Sequence, residues 1–198
     1  MHFDALAVRR FPAPRSLAAL AALLAALMAL ASAGVPVAAC LRYERVALAH
    51  GEWWRLATAH LVHHDWPHLA LNLAGLALLW MLYRAQASAR EWLVVVLASM
   101  LAVDAGLYWF APEVRWYLGA SGLLHGLWAA GAVFTVRQRR LEGWLTLSLL
   151  TAKLLLEQRY GALSASSLGL AVVTAAHGYG ALGGLAAALG LRARRAPL

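Results

Sequence analysis

Two short motifs supply the residue types of a hydrolytic nucleophile and its base. Ser121 lies in a Gly-Ala-Ser-Gly motif at residues 119–122, and His177 lies in an Ala-His-Gly-Tyr-Gly motif at residues 176–180. A serine hydroxyl is a weak nucleophile until a neighbouring base takes its proton, and a neutral imidazole is a common base. Both motifs fall in apolar segments, where polar groups are costly and usually mark a site or a pathway. We therefore predict that Ser121 and His177 are catalytic.

Composition indicates that these motifs lie in a membrane. The chain has 198 residues, of which 63% are hydrophobic and 13% are charged, whereas soluble domains are about 25% charged. A membrane-spanning helix needs ~20 largely apolar residues. We predict an all-α membrane protein with one domain, residues 1–198, and six transmembrane helices at about 17–40, 67–83, 92–110, 119–136, 143–156 and 168–191.

The basic residues are distributed as a membrane topology requires. The formal net charge is +8, which in a soluble protein would suggest a nucleic-acid partner. With a cytoplasmic N-terminus, however, most of the 17 basic residues fall on one side of the six spans: Arg9, Arg10, Arg15, Arg84, Arg90, Arg137, Arg139, Arg140, Arg192, Arg194 and Arg195. This bias follows the positive-inside rule. We predict cytoplasmic termini, contact with the lipid bilayer and no nucleic-acid partner.

The topology places the two candidate catalytic residues at one depth. At 1.5 Å per residue, Ser121 lies ~24 Å from Arg137 along span four, and His177 lies ~22 Å from Arg192 along span six. Small residues four apart allow helices to approach closely. Gly122 and Gly126 on span four, and Gly180 and Gly184 on span six, have this spacing. Generic helix packing is the other interpretation of these glycines.

Further polar residues are candidates for supporting roles. His68 and Asn72 are four residues apart on span two and share one helix face, so we predict that they and the Ser121 N–H stabilise an oxyanion. His125 lies one turn from Ser121, where it would stack against His177 and orient it. No acidic residue is near His177 in sequence, so we predict a Ser–His dyad. The alternatives are a serine that caps its own helix and histidines that make only structural hydrogen bonds.

The histidines also raise the possibility of a metal site. His64 and His68 have the i, i+4 spacing of zinc-binding helices. No glutamate follows His64, however, and Pro67 breaks the helix between the pair. We predict no metal and no cofactor. His63, His64 and Asp65 would instead line the water path to the site.

The first outer loop and the first span carry two further predictions. Loop 41–66 contains Trp53, Trp54 and Trp66, which suits a membrane interface, and an amphipathic helix is predicted from Arg42 to Leu48. The single cysteine, Cys40, excludes an internal disulfide. Its Val-Ala-Ala-Cys context is similar to a lipoprotein processing site, but the apolar run before it is longer than a typical signal, so we predict that span one is retained.

Taken in order, these motifs resemble the rhomboid family of intramembrane serine proteases over nearly the whole chain. The resemblance rests on the Gly-x-Ser-Gly motif at Ser121, the Ala-His-x-x-Gly-x-x-x-Gly pattern at His177, the second-span residues His63, His68 and Asn72, and Trp54-Arg55 in the first loop. It implies a six-helix rhomboid-like bundle, a serine endopeptidase and intramembrane proteolysis. In this interpretation Gly119, Gly122, Gly180, Gly184 and His125 support the catalytic residues.

The sequence Gly-Ala-Ser-Gly-Leu-Leu-His-Gly at 119–126 resembles the rhombosortase subfamily more closely. Many bacterial rhomboids carry an aromatic residue where this chain has His125-Gly126. The resemblance implies exported substrates with a C-terminal Gly-Gly motif, one transmembrane helix and a basic tail. It also implies the inner membrane of a Gram-negative bacterium, with the active site toward the periplasm.

Three alternatives remain open on sequence grounds. A general rhomboid protease would cleave other single-span substrates. A multi-pass transporter would use its intramembrane histidines as a proton relay and would need no Ser121 hydroxyl. An inactive rhomboid-like binder would hold substrates without cutting them.

Overall fold

Long helices joined by short turns make up most of the described chain. The computed structural model describes Ala22 and residues 35–161 and 172–191. Its helices are α1 (Val35–Leu41), α2 (Arg45–Ala49), α3 (Arg55–Thr58), α4 (Trp66–Tyr83), α5 (Ala89–Phe110), α6 (Ser121–Arg137), α7 (Leu141–Tyr160) and α8 (Thr174–Gly190). The predominance of helix confirms the helical class. Most of the predicted first span, and the basic residues at 9–15 and 192–195, lie outside the described residues.

Local sequence explains where α4 and α5 begin. Asp65 caps α4 by accepting a hydrogen bond from the His68 backbone N–H at 2.8 Å, and Pro67 follows in the first turn, where its missing N–H costs nothing. Ser88 and Glu91 form a reciprocal capping box at the start of α5, which satisfies two donors that a helix start otherwise leaves unpaired.

Helix α7 continues beyond the predicted fifth span at both ends. The prediction placed that span at about 143–156, with Lys153 near its end and Glu157 just beyond it. In the structure these two charges, one turn apart, contact each other, so their presence does not end the helix. Helix α8 begins at Thr174, later than the predicted residue 168, and residues 168–171 lie outside the described part of the chain.

Helix α6 is the centre of the bundle. It packs against α4, α5, α7 and α8, and α8 also packs along α5. Residues 122–126 and 129–135 of α6 are buried, so the helix has almost no outer face. At the end of α6 away from Ser121, Arg137 donates hydrogen bonds to the Ala188 and Leu191 carbonyl oxygens at 2.6 and 2.8 Å. These bonds satisfy carbonyls at the end of α8 and fix that end of α8 against α6.

The first loop forms a short sheet with the segment between α5 and α6, which the sequence did not predict. Strands β1 (Tyr43–Glu44) and β2 (Trp116–Tyr117) pair antiparallel, with Tyr43 opposite Tyr117. The predicted helix from Arg42 to Leu48 was therefore partly wrong: helix α2 begins only at Arg45. The competing interaction is a long-range backbone ladder, which local periodicity does not reveal.

Arg55 of the Trp54-Arg55 motif ties the same loop together. It is buried and donates to the Ala39 and Arg42 carbonyl oxygens at 2.8 and 2.9 Å. Glu52 accepts from its Nε at 2.7 Å.

The outer surface of the bundle is strongly apolar. Met81, Leu101, Phe110 and Leu149 are each more than 60% exposed, and surface of this kind is typical of a membrane or protein contact. Within the described ranges, α4 and α5 are long and apolar enough to cross a membrane. Helices α6 and α8 have 17 residues each, slightly fewer than the ~20 of a typical span. The six-span arrangement stays a prediction.

Candidate active site

A tight turn places Ser121 at the start of α6. Gly119 precedes it with a φ of +115°, a left-handed conformation that glycine adopts without strain. A Cβ at this position would also lie 2.7 Å from the His68 ring. The Gly119 N–H donates to the Ala59 carbonyl oxygen at 2.8 Å. Ser121 is thus held beside α4 as the first residue of its helix, where backbone N–H groups have no partner within the helix.

The glycine pairs bring α6 and α8 into direct backbone contact. A Cβ on Gly180 would lie 1.9 Å from the Gly122 carbonyl oxygen, and a Cβ on Gly184 would lie 2.0 Å from that of Gly126. No other residue type could occupy these positions without separating the helices. Gly122 directly follows Ser121 on α6, and Gly180 lies one turn from His177 on α8.

This close approach joins Ser121 to His177. Ser121 Oγ lies 2.9 Å from His177 Nε2, within the 2.6–3.2 Å that proton transfer to a general base requires. His177 is buried. Both residues line a cavity of about 250 Å³ between α4, α6, α7 and α8. The structure therefore brings together the two residues that the sequence selected from positions 56 apart.

A buried carboxylate on α7 contacts the other nitrogen of the same imidazole. Glu157 Oε2 lies 2.8 Å from His177 Nδ1, and the Glu157 side chain is 3% exposed. Its second oxygen, Oε1, accepts from Lys153 Nζ at 2.5 Å. The dyad predicted from the sequence had no acidic partner, so both Glu157 and Lys153 were missed. Their signal was an i, i+4 charge pair inside an otherwise apolar helix.

His125 lies where the sequence predicted, one turn from Ser121 and against His177. The two imidazole rings are stacked, with centroids 4.0 Å apart and planes inclined by 11°. His125 Nδ1 donates to the Ser121 carbonyl oxygen at 2.7 Å, so its Nε2 accepts from Lys153 Nζ at 2.9 Å. The ring is thus fixed by partners on both nitrogens.

His68 and Asn72 line the same cavity as Ser121 and His177. Asn72 is buried, and one of its amide hydrogens goes to the His68 carbonyl oxygen at 3.0 Å. A primary amide has two donor hydrogens, so the second can serve a bound substrate. The structure places both candidate oxyanion donors at the site.

The predicted water path is only partly as expected. His64 is exposed, but His63 is buried and packs edge-on against the His68 ring with centroids 4.9 Å apart. Burial, together with the nearby His68, lowers the pKa of His63 to about 4. His63 is therefore neutral at physiological pH and supports His68 instead of lining a solvent path.

Tyr117 is a third residue that the sequence did not select. Its hydroxyl donates to the Gly119 carbonyl oxygen at 2.7 Å, which braces the turn before Ser121. Burial raises the pKa of the Tyr117 phenol, so the hydroxyl keeps the proton that it donates.

Among the described residues, one cluster of two histidines and a carboxylate has the composition of a metal site. Potential ligand atoms of His125, Glu157 and His177 all lie within 4.8 Å of one another. Imidazole lone pairs lie in the ring plane, and these two planes are nearly parallel, so the lone pairs do not converge on one point. The Lys153 ammonium already contacts both His125 and Glu157. The cluster suits this internal cation better than a metal ion.

Comparison with known proteins gives one family. The family model described as Rhomboid domain matches residues 50–194. A curated protein of Bacillus subtilis (strain 168), named "Putative rhomboid protease YdcA", is 29% identical over 98 residues, which are 50% of this chain and 49% of that protein. The chain therefore spans about half the length of the curated relative that it matches. No solved structure matches it significantly.

Proposed function

This chain belongs to the rhomboid family, and from that membership we propose that it is an intramembrane serine endopeptidase. Membership also indicates an integral membrane protein. The observation that carries the proposal is the 2.9 Å contact between Ser121 Oγ and His177 Nε2 in a cavity that also holds His68 and Asn72. A serine that only caps its helix, or a histidine that only packs, would not need this arrangement.

The proposed reaction is acyl transfer to Ser121. His177 Nε2 takes the hydroxyl proton as Ser121 Oγ attacks the scissile carbonyl carbon. The Ser121 N–H, Asn72 and His68 donate hydrogen bonds to the resulting oxyanion. His177 then returns the proton to the leaving amine, and water releases the acyl group by the same steps in reverse. No cofactor takes part.

Asn72→Ala is expected to slow cleavage by about 10- to 1000-fold, because one preorganised oxyanion donor contributes in this range. The affinity for substrate should change less, since the donor acts mainly on the transition state. Single-turnover cleavage of an anchored reporter in proteoliposomes measures both quantities. If cleavage is unaffected in Asn72→Ala, then Asn72 has only a structural role.

We propose six spans in the cytoplasmic membrane of a Gram-negative bacterium, with both termini cytoplasmic and the site toward the periplasm. The basic residues 84, 90, 137, 139 and 140 support this orientation through the positive-inside rule. They lie at the ends of α4 to α7 that are away from Ser121.

For substrates, we propose exported proteins with a C-terminal membrane anchor preceded by Gly-Gly. Leu71, Leu78 and Leu79 of α4 give the cavity an apolar wall. An extended backbone without side chains would fit next to Ser121. Glycines also weaken the substrate helix by ~1 kcal/mol each, which favours its unwinding at the scissile bond. Cleavage of other single-span proteins is the alternative.

An anchored reporter with a Gly-Gly pair at the periplasmic end of its helix is expected to be processed, because that pair can unwind and enter the site. A reporter with Ala-Ala at the same place should be processed at least about tenfold more slowly, given the helix-propensity difference of both positions. Immunoblotting of cells that produce this protein measures the ratio. Equal processing of both reporters, still dependent on Ser121, would favour a general rhomboid protease.

A further inference from the structure

Glu157 completes a chain of contacts that begins at the Ser121 hydroxyl. His177 lies between the two, with Nε2 2.9 Å from Ser121 Oγ and Nδ1 2.8 Å from Glu157 Oε2. The histidine and the glutamate side chains are 5% and 3% exposed. Three helices, α6, α7 and α8, thus contribute one residue each to a single linear arrangement.

The carboxylate determines which imidazole nitrogen carries the proton. An ionised carboxylate only accepts hydrogen bonds, so Nδ1 must be the protonated nitrogen in neutral His177. The lone pair is then on Nε2, where it faces the Ser121 hydroxyl. The opposite tautomer would direct an N–H at Ser121 Oγ and could not accept its proton. A carboxylate in this position also stabilises the imidazolium that forms during reaction.

Lys153 balances the charge of Glu157 and keeps it in place. A lone carboxylate would be costly at this depth, and Lys153 Nζ lies 2.5 Å from its second oxygen. Lys153 is the only lysine in the sequence, since every other basic residue is an arginine. Its compact ammonium also reaches His125 Nε2 at 2.9 Å. Through His125 the network returns to the Ser121 carbonyl oxygen, so both ends of the nucleophile are fixed.

We infer that Ser121, His177 and Glu157 act as a triad, in which Glu157 is a positioning residue for His177 and Lys153 is a positioning residue for Glu157. The inference rests on the proposed protease function. It replaces the dyad expected from sequence with a charged pair that fixes the base. The alternative is a salt bridge that only stabilises the contact between α7 and α8.

The pH dependence of Ser121 reactivity separates these roles. Charged and titratable groups facing His177 are Glu157 and Lys153 from α7, His125 from α6 and His68 from α4. Asp104 of α5 lies 3.4 Å from His60 instead and does not line the cavity. Loss of the Glu157 charge makes His177 harder to protonate, whereas loss of the Lys153 charge makes it easier to protonate.

The experiment is the rate at which an alkyl fluorophosphonate modifies the full-length protein in proteoliposomes, measured from pH ~5 to ~8, where imidazoles titrate. In this reaction Ser121 Oγ forms a bond to phosphorus, fluoride leaves and His177 takes the proton. Glu157→Gln should react about 10- to 100-fold more slowly, as expected for loss of a hydrogen bond to a charged group. The acid limb of its profile, which is the fall in rate as His177 becomes protonated, should move to lower pH. Lys153→Met should move the acid limb to higher pH, and Glu157→Asp should restore part of the wild-type profile.

Matched controls make each outcome decisive. Glu142→Gln removes the same charge from the exposed opposite end of α7 and should leave the profile unchanged. If Glu157→Gln does not fold, the limb shift in Lys153→Met decides the question. Suppose that the wild type is modified at Ser121 and that the acid limb stays at the same pH in every variant that folds. This result would overturn the triad and leave the protease proposal standing. Absence of any Ser121-dependent modification in the wild type would instead overturn the protease proposal.

Discussion

Replacement of Ser121 by alanine is expected to reduce cleavage of an anchored reporter to background. Loss of the nucleophile lowers turnover by about 10⁶-fold in serine proteases whose catalytic residues have been replaced one at a time. The fold should be preserved, because the hydroxyl's hydrogen bond is to His177 and the contacts that hold α6 come from other residues. Cleavage is measured by gel mobility in proteoliposomes, and folding by thermal unfolding in detergent.

Ser148→Ala is the matched control for this change. Ser148 is an exposed serine on α7, so the same hydroxyl is removed away from the cavity and activity should remain at the wild-type level. Cleavage that persists in Ser121→Ala at the wild-type rate would contradict the assignment of Ser121 as the nucleophile. Absence of cleavage by the wild-type protein would instead favour a transporter or a binding protein, for which the hydroxyl has no role.

Gly180→Ala is expected to lower cleavage by at least about 10³-fold, because misplacement by 1 Å alone costs about 10²-fold. The added Cβ would lie 1.9 Å from the Gly122 carbonyl oxygen, whereas ordinary contacts are 3.4–4 Å. Helices α6 and α8 must therefore separate by more than 1 Å at the level of Ser121 and His177. Overpacking of this kind also destabilises the fold by about 1–3 kcal/mol. Cleavage rate and midpoint of thermal unfolding are the two measurements.

Gly178→Ala provides the control on the same helix. In the part of the chain that the structure describes, no atom lies within 4 Å of a Cβ added at Gly178, so the substitution should be tolerated and gain up to ~1 kcal/mol from helix propensity. Equal activity of the two variants would mean that α6 and α8 do not meet as closely as described. The comparison separates close packing from the general effect of replacing a glycine in α8.

The sequence could predict Ser121 and His177 because their depths along the spans follow from residue counts. Ser121 and His177 were placed at similar heights by counting residues from flanking arginines, and the glycine spacing suggested that their helices meet. Both inferences use periodicity and helix rise, which are properties of each segment alone. The local start signals of α4 and α5, Asp65 and Ser88, are likewise encoded within a few residues.

Glu157 is the site residue that helix rise and periodicity alone did not reveal. Glu157 lies 17 residues after Arg140, or ~26 Å along a helix, which matches the height of Ser121 and His177. The predicted span, 143–156, ended one residue before Glu157, and the heights of Lys153 and Glu157 were not compared with those of Ser121 and His177. Their mutual contact and the contact with His177 depend on how α7 packs against α6 and α8. The β1–β2 pairing was missed for the same reason, since it joins Tyr43 to Tyr117, which are far apart in the sequence.

Mass mapping of the adduct with an alkyl fluorophosphonate tests the central claim most directly. The account predicts one modified serine, Ser121, in the wild-type protein reconstituted in lipid, with no adduct in Ser121→Ala and a strongly reduced yield in His177→Ala. Ser99 and Ser148, which lie away from His177, should remain unmodified. An adduct on another residue would contradict the assignment of Ser121 as nucleophile. An equal yield in the wild type and in His177→Ala would contradict the assignment of His177 as base.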